Sequence, residues 1–170
     1  GTAYVNVIPR VEKLVKELQI KDELTYIFIS HDLSVVKYIT DEIMVMYLGN
    51  VMEKGETDQI FDNPLHPYTK ALFSAVPTPD PDAKMDRIIL KGDIPSPANP
   101  PKGCKFHTRC EKCMNVCKFV EPKFVEHDEN HFVTCHLYDK EVMNNLEKYD
   151  LEYEKMIQEE NELKENENKK

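Results

Sequence analysis

Two neighbouring stretches decide the fold class: Thr25-Tyr26-Ile27-Phe28-Ile29-Ser30-His31-Asp32-Leu33, and Ile43-Met44-Val45-Met46-Tyr47-Leu48-Gly49-Asn50. The first opens with a short β-branched and aromatic run. That composition predicts a strand buried on both faces over Thr25–Ser30, with His31 at its carboxyl end. Asp32 or Ser34 then caps a helix that carries Val35, Val36 and Ile39. The second stretch is another apolar strand. Gly49-Asn50 turns the chain, and Val51-Met52-Glu53-Lys54 returns as a hairpin arm ending at Gly55. Strand, helix and strand in succession predict an α/β fold. The strands are too few to close a full doubly wound sheet.

Upstream, Val11, Leu14, Val15 and Leu18 recur at helical spacing behind Pro9, which predicts an amphipathic helix. Downstream, Thr57 caps a short helix through Phe61, and a further helix covers Pro67 to Ala75. The composition then shifts. Residues 77–101 hold seven of the chain's eleven prolines, an extended linker with one candidate strand at Arg87-Ile88-Ile89-Leu90. All five cysteines follow between residues 103 and 136. In the tail, Val142, Leu146, Tyr149, Tyr153 and Met156 step by four and three, predicting an amphipathic helix that either packs on the domain and frays from Asn161 or forms a short coiled coil with another subunit. The reading divides the chain into an α/β part (1–76), a Pro-rich linker (77–102), a Cys-rich module (103–138) and an acidic helical tail (139–170).

Composition limits the function. The 170 residues carry a net charge of −9, so no broad basic face is available for nucleic acid. No apolar run is long enough to cross a bilayer, and the first residues lack the pattern of a secretory signal. Without such a signal, the five cysteines read as metal ligands rather than disulfides.

The motifs carry a resemblance. Ile27-Phe28-Ile29-Ser30-His31-Asp32-Leu33 resembles the switch-histidine segment of ABC-type ATPases, and Val45–Gly49 with Gly55-Glu56-Thr57 resembles the hairpin that follows it in importers. Asn63-Pro64-Leu65-His66-Pro67-Tyr68-Thr69 is similar to the hallmark of the oligopeptide/dipeptide (and nickel) importer branch. The likeness continues through Ile94-Pro95-Ser96-Pro97 and Gly103-Cys104-Lys105-Phe106-His107-Thr108-Arg109-Cys110, covering roughly residues 9 to 138. It implies the C-terminal part of the energy-coupling ATPase subunit, peripheral on the cytoplasmic face of the cell membrane. Its implied partners are a second ATPase subunit and transmembrane permeases, with no direct membrane insertion. It also implies that His31 contacts the ATP γ-phosphate and helps orient the attacking water. A neutral imidazole can donate to a phosphate oxygen and accept from a water. The simpler reading of His31 is a cap on the following helix.

No G-x-x-x-x-G-K-[ST] occurs in the sequence, and the five glycines do not cluster. The family's magnesium-binding acidic strand and signature loop are absent as well. ATP and magnesium therefore belong to the complete domain, and the expectation is that this chain alone does not hydrolyse ATP.

For the cysteines, the resemblance implies a [4Fe–4S] cluster on Cys104, Cys110, Cys117 and Cys135, spaced C-x5-C-x6-C-x17-C. Cys113 departs from the family pattern. It makes a C-x-x-C pair with Cys110 that suits zinc, drawing on Cys117, Cys135, His131 or His136 for further ligands. The simpler readings are a small packed thiol for Cys113 and surface or strand-edge positions for His131 and His136. Arg109 has no assigned role. A bound metal would staple a segment too short to bury a core of its own. The rival function is a stand-alone metal-binding interaction module with the α/β part as scaffold.

Overall fold

The structure, a computed structural model, describes residues 8–76 and 87–167. Pro77, Pro79 and Pro81 of the linker lie outside the described residues. Helix α1 (Ile8–Asp22) is longer than the apolar spacing predicts, and it meets α2 (Leu33–Ile39). Leu14 and Leu18 remain largely exposed.

Between them, residues 24–32 form no strand, which corrects the expectation for Thr25–Ser30. The whole run is exposed, with Ile27 at 93% and Ile29 at 94%. A strand buried on both faces needs neighbours on both sides to take its backbone hydrogen bonds. Among the described residues the sheet offers it none. Ser30 Oγ accepts from Asp32 N–H at 2.9 Å, and Asp32 C=O accepts from Val36 N–H at 3.2 Å, opening α2.

The sheet has four strands, all antiparallel: β1 (Glu42–Tyr47), β2 (Asn50–Glu56), β3 (Phe124–Asp128) and β4 (His131–Thr134), in the order β1-β2-β4-β3. The α/β composition is as expected; the sheet direction follows from hairpins rather than crossovers. β1 alternates, burying Ile43, Val45 and Tyr47 and exposing Met44 and Met46. The hairpin turn is Leu48-Gly49, one residue earlier than predicted. Both have positive φ, 46° and 76°, as a two-residue turn matching strand twist requires.

A bulge follows from the register. Val45 pairs with Glu53 and Met46 with Val51, so Met52 is the extra residue. The bulge breaks the two-residue period, and Met52 and Glu53 are both buried. β3 and β4 close through Glu129-Asn130, with Asn130 at φ 57°. Val133 pairs with Glu53 and Phe132 with Lys54, so the Cys-rich segment shares one sheet with residues 42–56.

Helix α3 (Thr57–Asp62) is capped by Glu56 rather than Thr57, with Gln59 Oε1 accepting from Glu56 N–H at 3.2 Å. Thr57 instead donates its hydroxyl to Thr40 C=O at 2.7 Å, tying α3 to the end of α2. Helix α4 (Pro67–Ser74) has Pro67 at its first position and His66 as cap. Residues 87–90 form no strand, a second correction. Instead of a ladder, Ile88 N–H donates to Ser74 Oγ at 3.0 Å and Leu90 packs on the core.

Helix α5 (Lys140–Met143) is capped by Asp139, whose Oδ1 accepts from Glu141 and Val142 N–H. Helix α6 (Leu146–Glu167) continues well past the predicted fraying point at Asn161.

Candidate metal centre

The core that surrounds the cysteines joins β1, β2, the Cys-rich loop and the tail. Tyr47, Met52, Cys104, Phe106, Val116, Cys117 and Val142 form it, with Tyr68, Leu146 and Tyr149 at its margin. Phe106 is fully buried and anchors the loop. Its ring meets Tyr47 edge-on at 5.3 Å, Tyr68 at 5.3 Å and His66 at 5.6 Å. The His66-Pro67-Tyr68 segment is therefore an aromatic socket for the residue two beyond Cys104.

The socket is held by a buried carboxylate. Glu53 Oε1 accepts from Leu65 N–H at 2.7 Å and Oε2 from His66 N–H at 2.8 Å. His131 Nε2 lies 2.8 Å from Oε1, and all of Glu53 is out of solvent. Tyr138 Oη donates to Leu65 C=O at 2.9 Å from the other side. His66 Nδ1 accepts from Tyr68 N–H at 3.0 Å, which requires a neutral ring, and burial pushes this imidazole down to about 4.

The cysteines converge from three short turns. One 3₁₀ turn (His107–Arg109) follows Cys104, a second (Asn115–Lys118) contains Cys117, and a third (His136–Tyr138) follows Cys135. Cys104 N–H donates to Cys117 C=O at 2.9 Å. Gly103 makes this approach possible. It sits at φ 61°, where an added Cβ would run into Cys117 O and lie 2.8 Å from Phe119 N.

Backbone N–H groups face four of the five sulfurs. Phe106 and His107 serve Cys104, Lys112 serves Cys110, Met114 serves Cys117, and Leu137 serves Cys135. Cys113 is instead beside the Lys118 and Cys117 side chains. Cys104, Cys117 and Cys135 are buried, while Cys110 and Cys113 are partly exposed; none is in a disulfide. Burial pushes the Cys110 thiol up to about 11 and those of Cys117 and Cys135 up to about 12, with the nearby Cys104 adding to the rise in each. A soft metal that takes these sulfurs as thiolates would displace their protons.

Among the described residues, no group of three or more His, Cys, Asp or Glu side chains is gathered around a single-ion position. Tetrahedral zinc, with Zn–S near 2.3 Å, brings its sulfurs within about 4 Å of one another. A four-iron cube binds its thiolates at separate corners and spreads them further apart.

His131 and His136 are both buried, which corrects their expected place at the surface or strand edge. His131 belongs to Glu53, and His136 Nε2 donates to Val120 C=O at 3.0 Å. Glu53 was missed by sequence reading, because its burial depends on the bulge at Met52. The β3–β4 hairpin was missed too, although Phe124–Thr134 carries the alternation and a central Asn130 that announce one.

His31 is exposed at the start of α2, on the segment that forms no strand. A polar cleft of about 570 Å³, lined by Lys16, Lys37, Asp41, Glu42 and Asp58 among others, contains neither His31 nor any cysteine. No helix among the described residues is long and apolar enough to cross a membrane.

Residues 52–117, running from the bulge through the socket to the third predicted ligand, match the family described as oligopeptide/dipeptide transporter, C-terminal region. The chain is similar to peptide-transport ATP-binding proteins. It is 54% identical over 136 residues to an oligopeptide transport ATP-binding protein of Bacillus subtilis, covering 79% of this chain and 41% of that protein. A dipeptide transport ATP-binding protein of Haemophilus influenzae is 51% identical over 131 residues, 77% of this chain and 40% of that protein. A putative peptide import ATP-binding protein of Brucella ovis is 49% identical over 131 residues, 77% of this chain and 41% of that protein. The chain thus spans about two fifths of the length of these curated relatives.

Proposed function

We propose that this chain is part of the ATP-hydrolysing, energy-coupling subunit of an oligopeptide/dipeptide ABC importer, and that Cys104, Cys110, Cys117 and Cys135 hold a [4Fe–4S] cluster. The observation that carries the first half is identity near one half to peptide-transport ATP-binding proteins, with the Glu53-held aromatic socket inside the matched region. The second is supported by the spacing of those four cysteines, three of which are buried in the same region.

In this reading the protein works on the cytoplasmic face of the membrane with a second ATPase subunit and permease subunits. The exposed run Tyr26–Ile29 then joins the sheet of the complete ATPase domain. That would cover Ile27 and Ile29, each contributing about 1.5–3 kcal/mol on full burial. His31 at the end of that run faces the ligand crevice, as side chains at the carboxyl ends of such strands do. Its imidazole donates to a γ-phosphate oxygen and accepts from the attacking water. ATP and magnesium are held chiefly by the rest of the domain.

The cysteines do a different job. When bound, the cluster supplies iron–thiolate crosslinks between Cys104, Cys110, Cys117 and Cys135, together with a one-electron centre. The chain's own residues exclude water from the sulfurs through Phe106 and Val116, and they direct N–H dipoles onto them.

The test uses the complete importer in sealed vesicles. ATP-driven uptake of a labelled oligopeptide is expected, and His31→Ala is expected to abolish ATP hydrolysis while leaving assembly intact. Full turnover in His31→Ala would remove that residue from the mechanism, and no peptide uptake by the wild type would remove the transport reading.

One observation favours the rival zinc module. His136 Nε2 is committed to a backbone carbonyl and its buried Nδ1 has no hydrogen-bond partner, an arrangement shared with metal-binding histidines. Zinc bound stoichiometrically and lost on His136→Ala would favour it.

A further inference from the structure

Two of the chain's three arginines, Arg87 and Arg109, line one groove. Its volume is about 490 Å³, within the ordinary range for a small-molecule site. The apolar lining comes from Ala71, Leu72 and Ala75 at the C-terminal end of α4 and from Ile88, Ile89 and Leu90. The second of these segments is fixed at two points: Ile88 N–H donates to Ser74 Oγ at 3.0 Å, and Leu90 packs on the core. Between them Ile89 is 79% exposed, and its backbone N–H and C=O make no hydrogen bond among the described residues. Arg109 is half-buried, and its Nε is out of solvent without a hydrogen-bond partner. The chain has 31 acidic residues, yet none of those described pairs with this guanidinium. A buried donor left unmet costs about 1–3 kcal/mol, so the orphaned Nε points to an acceptor that enters from the groove.

We propose that this groove binds the C-terminal end of a short free peptide. The terminal carboxylate takes Arg109 side-on, accepting from Nε and one Nη as a planar guanidinium presents them. The exposed Arg87 adds a second positive charge. An apolar last side chain lies against Leu72, Ala75 and Ile88, and the peptide backbone exchanges hydrogen bonds with Ile89 as an added strand does. A carboxylate with an apolar tail but no amides makes only the first two kinds of contact, so the groove favours a peptide over a fatty acid. Such a ligand is of the class that the proposed transport delivers; the site itself stands on the groove and not on that reading. Binding to the purified chain is therefore judged apart from uptake.

The full chain is titrated calorimetrically with the tetrapeptide alanyl-alanyl-alanyl-leucine, with its C-terminal amide and with octanoate. The peptide acid is expected to bind at one site per chain. Capping the carboxylate as the amide, or Arg109→Gln, is expected to weaken binding by at least about tenfold, as loss of a charge-assisted pair does. Arg87→Gln should cost less than about fivefold, because an exposed pair contributes little. Ala75→Phe fills the groove from an exposed position. It should abolish binding while leaving the urea midpoint in place, and it judges the proposal if Arg109→Gln fails to fold. Undiminished binding of the amide, or undiminished binding by Arg109→Gln or Ala75→Phe, would overturn the site, as would no binding of the peptide acid. Octanoate held as tightly as the peptide would overturn the peptide as occupant. Loss of iron loading in Arg109→Gln with peptide affinity intact would give Arg109 to the metal site instead.

Discussion

Glu53 shows how much of this region depends on one side chain. It satisfies two backbone N–H groups of the Asn63–Thr69 segment and pairs with His131 on β4. Removing that carboxylate leaves two buried backbone N–H groups unsatisfied, at about 1–3 kcal/mol each. Glu53→Ala is therefore expected to lower the urea midpoint by that equivalent and to free the socket from Phe106. A midpoint within about 0.5 kcal/mol of wild type would show that the segment is held by something else. His66 gives the pH dependence. Unfolded, its imidazole takes a proton near its ordinary 6.5; folded, only near 4. The unfolded state binds more protons in that window, so this contribution is complete above about pH 6.5 and is lost as the pH falls toward 4. The loss is on the order of 3 kcal/mol. Urea titrations across the window should show it, and His66→Asn, which keeps a capping acceptor but does not titrate, should flatten the slope. An unchanged slope in His66→Asn would assign the acid sensitivity to another group.

At the scale of elements, α6 divides in two. Its first half is anchored: Asn115 Nδ2 donates to Asp150 at 2.9 Å, Phe119 stacks on Tyr153 at 6.0 Å, and Lys118 lies over the same ring at 4.5 Å. Beyond Ile157 the described side chains are exposed. Truncation after Ile157 is expected to leave the melting temperature unchanged within about 1 °C, whereas Tyr153→Ala should lower it clearly, by several degrees if about 1 kcal/mol is lost. A large loss on truncation would reveal a role for the distal half. Elements with their own period were legible from sequence: β1 from its apolar run, α4 from Pro67, and α6 from Leu146, Tyr149 and Tyr153, although Val142, expected on the same helix, lies on the separate α5 beyond a turn at Asn144-Asn145. Thr25–Ser30 misled because β propensity describes a side chain's fit to a sheet and cannot supply the neighbouring strands. Arg87–Leu90 misled in the same way. Glu53 and the β2–β4 pairing were hidden because a bulge and a pairing between residues about eighty apart leave no periodic trace.

Across the whole molecule, the α/β part and the Cys-rich segment are one body. β4 pairs with β2, Phe106 fills a socket built by β1 and α4, and Val142 of the tail closes the same core. The four proposed ligands come from the resemblance, and spacing alone left a zinc set with Cys113 open; the turns that place these cysteines had no sequence signal. A staple here would brace the surface that carries His66-Pro67-Tyr68 as well as the loop itself. The most direct test is anaerobic reconstitution of the chain with ferrous iron and sulfide, followed by metal and sulfide analysis and an absorption spectrum. The account predicts a brown protein with broad violet-blue absorption and about four irons and four sulfides per chain, lost on Cys104→Ser or Cys135→Ser and retained in Cys113→Ala. A colourless chain holding one zinc, or iron loading that depends on Cys113, would contradict it.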